Sequence, residues 1–352
     1  MTFRIGILGG GGISETHARA AREIPGVEIT AVYGQNAEKA ARLAGEYGGR
    51  AYSGLEAFLD APLDVVLVGS PSGVHAEQAM AAARRGLHVL VEKPLDVSTE
   101  RCDRLIEECE RAGVKLGVFF QGRTAPEIAW LKRQVEAGAL GELFLAAAQV
   151  RWYRPPEYYS GSRWRGTWAL DGGGALMNQG IHTVDLLLWL LGDVARVSGR
   201  TRTALHDIEV EDTALALLEF TSGAVATLEA TTAAYPGYPR RLELSGTGGT
   251  VVVEHDRVVS ADLREPPAEP LPRGEADANA SASSAVISDV RAHRRVLEDF
   301  LDAVRTGAPP LCDGREGRRS VEVVEAVYRS ARTGEPVELP ASRDSASQSP
   351  SR

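Results

Sequence analysis

Two segments of the chain carry side chains that could bind a substrate oxygen and move its proton. In the first, Glu92 and Lys93 follow the apolar run HVLV. A lysine held at the end of such a run can donate a hydrogen bond to a reacting oxygen, although most lysines are simply surface cations. The second segment is GGGALMNQGIHTVDLLLWLLG, in which His182 can take up a proton near neutral pH.

The second segment predicts a very apolar helix, about Ala175 to Leu191, with one polar stripe. Asn178, His182 and Asp185 fall at i, i+4 and i+7 and therefore share one helix face. Such a stripe must be hydrogen-bonded inside the protein or line a cavity. A lone histidine here is usually a satisfied core residue, but the stripe and the glycines before it favour a cavity. No further histidine or carboxylate follows at a metal-ligand interval, so no metal site is predicted.

A segment rich in aromatic residues and arginine comes just before this helix. It contains Arg154, Tyr158, Trp164 and Arg165. Aromatic faces pack on the C–H surfaces of sugars, and arginine binds hydroxyls or acids, so these side chains are candidate substrate ligands. Structural packing of the tryptophans explains the same composition equally well.

A glycine-rich turn lies near the N-terminus, between a predicted strand and a predicted helix. Gly9 permits a tight turn, and Gly11 lets a ligand approach the backbone closely. Gly12 and Ile13 then present helix N-terminal amides to an anion. This arrangement is typical of a site for a dinucleotide pyrophosphate, although a glycine motif taken alone is often just a flexible turn.

The ends of two other predicted strands supply further candidate ligands for the same dinucleotide. Ser70, Pro71 and His75 follow the buried run DVVLVG, at the carboxyl end where open α/β sheets bind ligands. Pro71 is also explained as an ordinary strand terminator. Glu92 and Lys93 occupy the same kind of position after HVLV.

The end of the second predicted strand bears on which dinucleotide is bound. It reads Tyr33-Gly34-Gln35-Asn36, about where a carboxylate would select the ribose 2′-hydroxyl of NAD. No carboxylate is present there. Gln35 and Asn36 can hydrogen-bond either ribose, and Lys39 can reach a 2′-phosphate. The sequence therefore predicts NAD or NADP as cofactor, with NADP tolerated or preferred.

Alternating strands and helices predict a doubly wound parallel sheet over residues 1–122. A run of strands then predicts an α+β unit with a large, mostly antiparallel open sheet over residues 123–340, so the fold class is α/β. The predicted strands are Phe3–Leu8, Val27–Val32, Asp64–Gly69, His88–Val91, Lys115–Phe120, Leu143–Val150, Val194–Thr203, Asp212–Phe220, Ala224–Thr232, Arg240–Gly246 and Thr250–Glu254. Residues 265–284 are predicted to be a solvated connection rather than a lid, and residues 341–352 a disordered tail.

Composition excludes several classes of partner. The 352 residues carry a net charge of −9 and a pI near 5.4, which gives no electrostatic reason to bind nucleic acid or an anionic membrane. The three cysteines are scattered, which suits a reducing compartment. Neither a signal region nor an apolar stretch of membrane-spanning length is found. We therefore expect a soluble cytoplasmic protein that binds a small molecule.

Six motifs together resemble one family over residues 3–340. They are, in order, GGGGIS, SPSGVH, HVLVEKPL, WRGTW, GGGALMNQGIHTVDLLLWLLG and GREGRRSVEVVEAVYRSARTGEPVELP. The family is that of glucose-fructose oxidoreductase, inositol dehydrogenase and the rhizopine catabolism protein MocA (Gfo/Idh/MocA). The resemblance implies a Rossmann domain that binds a nicotinamide dinucleotide and a second domain whose open sheet forms a homodimer or homotetramer. It also implies that Lys93 and His182 contact the substrate.

The activity implied by the resemblance is hydride transfer between the nicotinamide and a secondary alcohol or carbonyl of a sugar, sugar derivative or cyclitol. Many members have an aspartate where this chain has Asn178, which cannot act as a base. We therefore expect neutral His182 to be the general base, oriented by Asp185. Lys93 is expected to stabilise the alkoxide, and Asn178 to position a hydroxyl.

Two other activities stay open at this point. An enzyme of this kind can use tightly bound NAD transiently, as a glycosidase or epimerase, and then turns over without a change in nicotinamide absorbance. The second possibility is a non-catalytic, sugar-sensing regulator. The presence of both Lys93 and His182 disfavours it.

Overall fold

The structure is a computed structural model that describes residues 2–272 and 289–340. Within these ranges the strands form one six-stranded and one eight-stranded sheet. The predicted connection at 265–284 lies outside the described residues from position 273 onward, and the predicted tail at 341–352 lies outside them entirely.

The six-stranded sheet is built from short, β-branched apolar runs that are buried on both faces, as expected for a parallel sheet covered by helices. Its strands are β1 (Phe3–Leu8), β2 (Val27–Tyr33), β3 (Arg50–Tyr52), β4 (Val65–Val68), β5 (His88–Val91) and β6 (Leu116–Val118). All pairings are parallel, in the order β3-β2-β1-β4-β5-β6. The order reverses between β1 and β4, which opens a crevice at the carboxyl ends of these strands.

Helices with apolar inner faces cover this sheet. They are α1 (Gly12–Arg22), α2 (Ala37–Tyr47), α3 (Leu55–Leu59), α4 (His75–Ala83) and α5 (Thr99–Ala112). Local sequence sets their ends. In α5, the Ser98 side chain accepts a hydrogen bond from the Arg101 amide (3.4 Å), and Gly113 ends the helix in the left-handed conformation (φ 67°).

The eight-stranded sheet has one face packed on helices and one exposed face, because buried and exposed residues alternate along its strands. The strands are β7 (Leu143–Arg151), β8 (Val194–Arg202), β9 (Thr213–Phe220), β10 (Val225–Thr231), β11 (Arg241–Gly246), β12 (Gly249–Glu254), β13 (Arg257–Leu263) and β14 (Val337–Glu338). Their order is β13-β12-β11-β7-β10-β9-β8-β14. Only the β7–β10 pair is parallel among these described strands, so the prediction of a mostly antiparallel sheet is confirmed.

The remaining helices are α6 (Pro126–Glu136), α7 (Glu157–Ser160), α8 (Ile181–Leu191), α9 (Arg291–Thr306) and α10 (Gly314–Thr333). Helix α10 packs on β8 and α8 under the second sheet. Helix α9 instead returns to the first sheet, where Leu297 and Phe300 join the same core cluster as Ile5 and Ile7. One helix from the last quarter of the chain thus completes the N-terminal unit.

The apolar helix predicted over Ala175–Leu191 consists of two parts. Ala175–Gly180 is π-helical, and α8 follows directly. The Glu211 carboxylate accepts hydrogen bonds from the backbone amides of Gly174 (3.0 Å) and Leu176 (2.8 Å), which fixes the start of the π-helical part. Because a π turn contains one residue more than an α turn, the α-helical spacing argument does not hold across this junction.

Within residues 2–272 and 289–340, no helix is both long enough and apolar enough to span a membrane.

Candidate active site

A cavity of about 1220 Å³ runs from the carboxyl ends of the first sheet to the π-helical segment. Its glycine end is lined by residues 9–13 of the glycine-rich turn, and its lysine end by Lys93, Asn178 and His182. Every predicted site residue except Asp185 lines this cavity. The others are Ile13, Gln35, Asn36, Lys39, Ser70, Pro71, His75, Glu92, Arg154, Tyr158, Trp164 and Arg165, together with Gly9, Gly11 and Gly12.

At the glycine end, the backbone conformation requires glycine at one position and leaves space at two others. Gly9 has φ 136°, and a Cβ there would lie 2.6 Å from the Gly69 carbonyl oxygen. A Cβ at Gly11 or Gly12 would instead meet nothing within 4 Å, because both face the cavity. Helix α1 begins at Gly12, so its N-terminal amides point into this space. These features fit the pyrophosphate of a dinucleotide.

Two side chains near the glycine end already have intramolecular roles. Ser70 donates a hydrogen bond from its hydroxyl to Gln78 Oε1 (2.6 Å). His75 places one ring nitrogen 2.8 Å from the Pro94 carbonyl oxygen and the other 2.8 Å from that of Ser70. This side chain therefore joins the loop after β4 to the loop after β5, and contributes to the cavity chiefly by fixing its wall.

The segment after β2 borders the same end of the cavity. Asn36 caps α2, because its side-chain oxygen accepts a hydrogen bond from the Lys39 amide (2.9 Å). The Lys39 Cβ lies 3.3 Å from the position that a Cβ on Gly10 would take. The Lys39 side chain therefore begins beside the turn that would bind the pyrophosphate.

Glu92 and Lys93 line the cavity directly after the carboxyl end of β5. Burial by itself would raise the pKa of Glu92, but its hydrogen bond to His17 (2.9 Å) and the positive groups nearby hold that pKa below its usual range. His293 lies 4.0 Å from the same carboxylate. His17 and His293 come from α1 and α9, far apart in sequence, and no local motif pointed to either of them.

Lys93 reaches across to the π-helical segment, where its Nζ donates a hydrogen bond to the backbone oxygen of Asn178 (2.8 Å). Burial lowers the pKa of Lys93, while the carboxylates of Glu92 and Asp171 oppose that shift. The ammonium group is thereby held at the lysine end, within the cavity that also holds His182.

His182 is partly buried and packs edge-on against Phe120, with ring centroids 5.7 Å apart. Burial, followed by the positive charge of Lys93, lowers the pKa of His182 well below its ordinary value. Its imidazole is therefore neutral at neutral pH and can accept a proton.

The structure corrects the prediction that Asp185 contacts the substrate. Asp185 is buried and accepts two hydrogen bonds from Arg123, at 2.9 and 2.7 Å, instead of facing the cavity. Arg123 also pairs with Glu316 of α10 at 2.8 Å. Asp185 follows the π-helical segment by more than a turn of α8, where the helix has passed beyond the cavity. Its role is to anchor α8, and it does not orient His182.

Asn178 has a carboxylate partner that the sequence did not indicate. Its Nδ2 donates a hydrogen bond to Asp171 Oδ1 at 2.5 Å, and its Oδ1 accepts one from Gln179 Nε2 at 3.1 Å. Asp171 immediately precedes the Gly172–Gly174 run, and this adjacency was the available signal.

Aromatic rings and guanidinium groups form one wall of the lysine end. The Arg165 guanidinium lies 4.3 Å from the centre of the Tyr158 ring and 5.2 Å from that of Trp164. Arg154 is buried and lies 5.1 Å from the Trp152 ring. The wall therefore combines flat apolar surfaces with fixed positive charge. Among the described residues, no group of three or more histidine, cysteine, aspartate or glutamate side chains is arranged to hold a metal ion.

Comparison with known proteins identifies the class to which this fold and site belong. Residues 3–120 match the model for the oxidoreductase family with an NAD-binding Rossmann fold, and residues 128–252 match the Gfo/Idh/MocA C-terminal domain. The chain belongs to the Gfo/Idh/MocA family of NAD-binding oxidoreductases, so the family predicted from the motifs is confirmed.

Individual relatives cover nearly the whole chain. D-xylose 1-dehydrogenase (NADP(+)) 2 of Haloferax volcanii is 31% identical over 346 residues, 95% of this chain and 99% of that protein. Inositol 2-dehydrogenase 3 of Saccharopolyspora erythraea is 30% identical over 348 residues, 96% of this chain and 95% of that protein. The crystal structure of the WlbA dehydrogenase from Bordetella pertussis in complex with NADH and UDP-GlcNAcA has a TM-score of 0.87 and 32% identity, covering 96% of this chain and 98% of that one.

Proposed function

We propose that this protein transfers a hydride between bound NAD or NADP and a secondary alcohol or carbonyl of a sugar, sugar derivative or cyclitol, with Lys93 and His182 as its catalytic residues. The observation that carries the proposal is that one cavity joins the glycine-rich turn to both side chains. The names of the relatives, which include xylose and inositol dehydrogenases, support the substrate class.

The roles of the two side chains follow from their charges. When bound, the nicotinamide accepts or donates the hydride. Neutral His182 takes the hydroxyl proton as the alcohol becomes a carbonyl, and returns it in the reverse direction. Lys93 donates a hydrogen bond to the same oxygen and stabilises its negative charge. Asn178, held by Asp171, offers its remaining amide hydrogen and oxygen lone pair to a neighbouring hydroxyl.

Within this class, the arginines favour a sugar that carries an acidic group. Arg154 and Arg165 line the lysine end together with Lys93, so three cations surround the proposed substrate position. Planar guanidinium groups bind carboxylates in a two-pronged geometry. The related WlbA structure contains UDP-GlcNAcA. We propose that Arg154 and Arg165 bind the acid while Tyr158 and Trp164 pack against the ring.

The test is a substrate screen that compares matched neutral and acidic sugars. Aldoses, inositols, uronic acids and nucleotide-linked uronic acids are each incubated with NAD and with NADP while nicotinamide absorbance is followed. We expect reduction of the nicotinamide with at least one class and none in a Gly11→Val variant. Turnover of a sugar with unchanged absorbance would instead show transient use of the cofactor. Binding of sugars without any turnover would show a regulator.

For the cofactor, we propose that NADP is accepted and that Lys39 contacts its 2′-phosphate. No carboxylate stands in the segment from Tyr33 to Asn36 to repel that phosphate, and the Lys39 side chain begins beside the glycine turn. Dissociation constants for both cofactors measure this directly, and a strong preference for NAD would contradict it.

We also propose that the exposed face of the second sheet forms a homodimer or homotetramer. Leu145 of β7 pairs across the sheet with Val225 of β10, and Leu215 and Leu217 extend the same face on β9. These four side chains are between 37% and 52% exposed. An apolar surface of this kind is typical of an interface. We expect light scattering to show an oligomer that a Leu215→Glu/Leu217→Glu variant converts to monomer, and a wild-type monomer would contradict the proposal.

We propose two further assignments, a cellular location and a domain boundary. A cytoplasmic location is supported by Cys102, Cys109 and Cys312, which are all free and buried. A division of the chain near residue 122 is supported by the two separate sheets. Helix α9 follows this boundary in sequence but packs with the first sheet. Limited proteolysis under native conditions would test this boundary.

A further inference from the structure

Asp171 lies at the centre of the contacts that hold the lysine end together. Its side chain is buried, and both carboxylate oxygens are bound. Oδ1 accepts the hydrogen bond from Asn178, at 2.5 Å, and Oδ2 accepts one from the backbone amide of Gly166, at 2.8 Å. Asp171 therefore ties the π-helical segment to the aromatic and arginine-rich loop that forms one wall of the lysine end.

The Asp171 carboxylate also interacts electrostatically with Lys93. Lys93 donates its hydrogen bond to the backbone oxygen of Asn178, the residue whose side chain binds Asp171. Two carboxylates, Glu92 and Asp171, favour the charged form of this partly buried lysine. The Glu92 carboxylate is already bound to His17, whereas that of Asp171 is bound to a neutral amide and a backbone N–H.

Asp171 changes its own charge close to neutral pH. Burial raises its pKa to about 6, against the opposing effects of the Gly166 amide, Asn178, Lys93 and Arg165. Other titratable groups that interact with it electrostatically include the phenols of Tyr158, Tyr159 and Tyr328. Above this pKa Asp171 is an anion, which interacts favourably with the cations Lys93 and Arg165.

We propose that Asp171 is a positioning residue of this site, which fixes the amide orientation of Asn178 and keeps Lys93 protonated. Because the carboxylate only accepts hydrogen bonds, it forces Nδ2 of Asn178 toward itself and directs Oδ1 toward Gln179. Its negative charge favours the ammonium form of Lys93, which is the form that can stabilise an alkoxide. The consequence for catalysis rests on the proposed function, whereas the effect on Lys93 does not.

The composition of the chain makes the effect on Lys93 directly measurable. The sequence contains four lysines, Lys39, Lys93, Lys115 and Lys132. Protein labelled with carbon-13 at lysine Cε should therefore give few NMR signals, and a Lys93→Met variant assigns the one of interest. The titration uses protein without cofactor or substrate, so a negative substrate screen would leave its result standing.

The decisive variant is Asp171→Asn, which removes the charge and keeps the size. The side-chain oxygen of the new asparagine can still accept the hydrogen bond from the Gly166 amide. Its NH2 group can donate to Oδ1 of Asn178 once the Asn178 side-chain amide has flipped. We expect the Lys93 signal to titrate at lower pH than in wild type, and Asp171→Glu to keep the midpoint near the wild-type value. The exposed substitution Asp60→Asn serves as a control that leaves the midpoint unchanged.

A second variant separates the charge from the fold. Asp171→Asn/Asn178→Asp moves the carboxylate across the hydrogen bond, and we expect it to return the Lys93 midpoint toward wild type even if the single variant is poorly folded. With a substrate in hand, kcat/KM of Asp171→Asn should fall roughly tenfold to a hundredfold at neutral pH while cofactor affinity is unchanged. An unchanged Lys93 midpoint in folded Asp171→Asn, a double variant whose Lys93 midpoint stays shifted away from that of wild type, or wild-type kcat/KM in Asp171→Asn, would overturn the proposal.

Discussion

At the glycine end of the cavity, the groups that face a ligand are mainly backbone atoms of one continuous turn, whereas at the lysine end they are side chains from distant parts of the chain. Gly9, Gly11 and Gly12 act through their lack of a side chain, and three consecutive elements fix them. Lys93 and Asn178 are 85 positions apart and meet through one hydrogen bond. The first kind of site depends on local conformation, and the second depends on how distant segments of the chain pack together.

This difference predicts that the glycine end is broken by a single added side chain. In Gly11→Val, the new atoms enter open space in the cavity, so the protein should fold normally. They would occupy the position of the pyrophosphate, and cofactor binding should fall below detection in a fluorescence titration. Gly45→Val, on the exposed side of α2, is the matched control and should bind normally. Unchanged affinity in Gly11→Val would remove the assignment of the glycine turn.

The lysine end should instead be sensitive to substitutions outside the cavity. Arg123→Met leaves the buried carboxylate of Asp185 without its partner, and breaking such a pair typically costs about 3–5 kcal/mol of folding free energy. Chemical denaturation measures this cost. The control is Arg133→Met, which breaks an exposed pair with Glu269 and should cost about 1 kcal/mol or less. Equal costs in the two variants would contradict the role of Asp185 as an anchor of α8.

A smaller effect is expected where a single side chain supplements the glycine end. Lys39→Met should weaken NADP binding by roughly fivefold, since an exposed charge pair contributes about 1 kcal/mol. Binding of NAD, which lacks the 2′-phosphate, should be unaffected and serves as the internal control. Equal changes for both cofactors would show that Lys39 acts on the fold of the turn and not on the phosphate.

The same contrast explains what could be predicted from the sequence. The parallel sheet follows from short apolar runs, each with its own pattern, and its glycine turn is a local motif. The strands that were not predicted, β3, β13 and β14, all lie at sheet edges, where one side of the strand is unpaired and the apolar pattern is weak. The Gfo/Idh/MocA family and the fold class are both confirmed.

At the lysine end, the sequence identified side chains but not their partners. Asn178 and His182 were placed on one face, and the structure brings both to the cavity. Asp185 was grouped with them by its spacing, but it lies one turn further along α8, where its carboxylate is buried against Arg123 and not in the cavity. Its partner Arg123 and the partner of Asn178, Asp171, lie in other segments, and no periodicity within one helix can reveal such pairs.

The catalytic assignment of His182 is tested most directly by single-turnover hydride transfer with a His182→Ala variant, once the screen has supplied a substrate. Burial and the charge of Lys93 lower the pKa of His182, so the imidazole should stay neutral as the pH falls to 6.5 and somewhat below. The wild-type rate should therefore hold down to that pH and decline only at lower pH, where His182 becomes protonated. The variant should lose on the order of a hundredfold to ten-thousandfold in rate with nearly unchanged cofactor affinity. Wild-type hydride transfer by His182→Ala across the pH range would show that the assigned base is wrong and that Lys93 takes the proton instead.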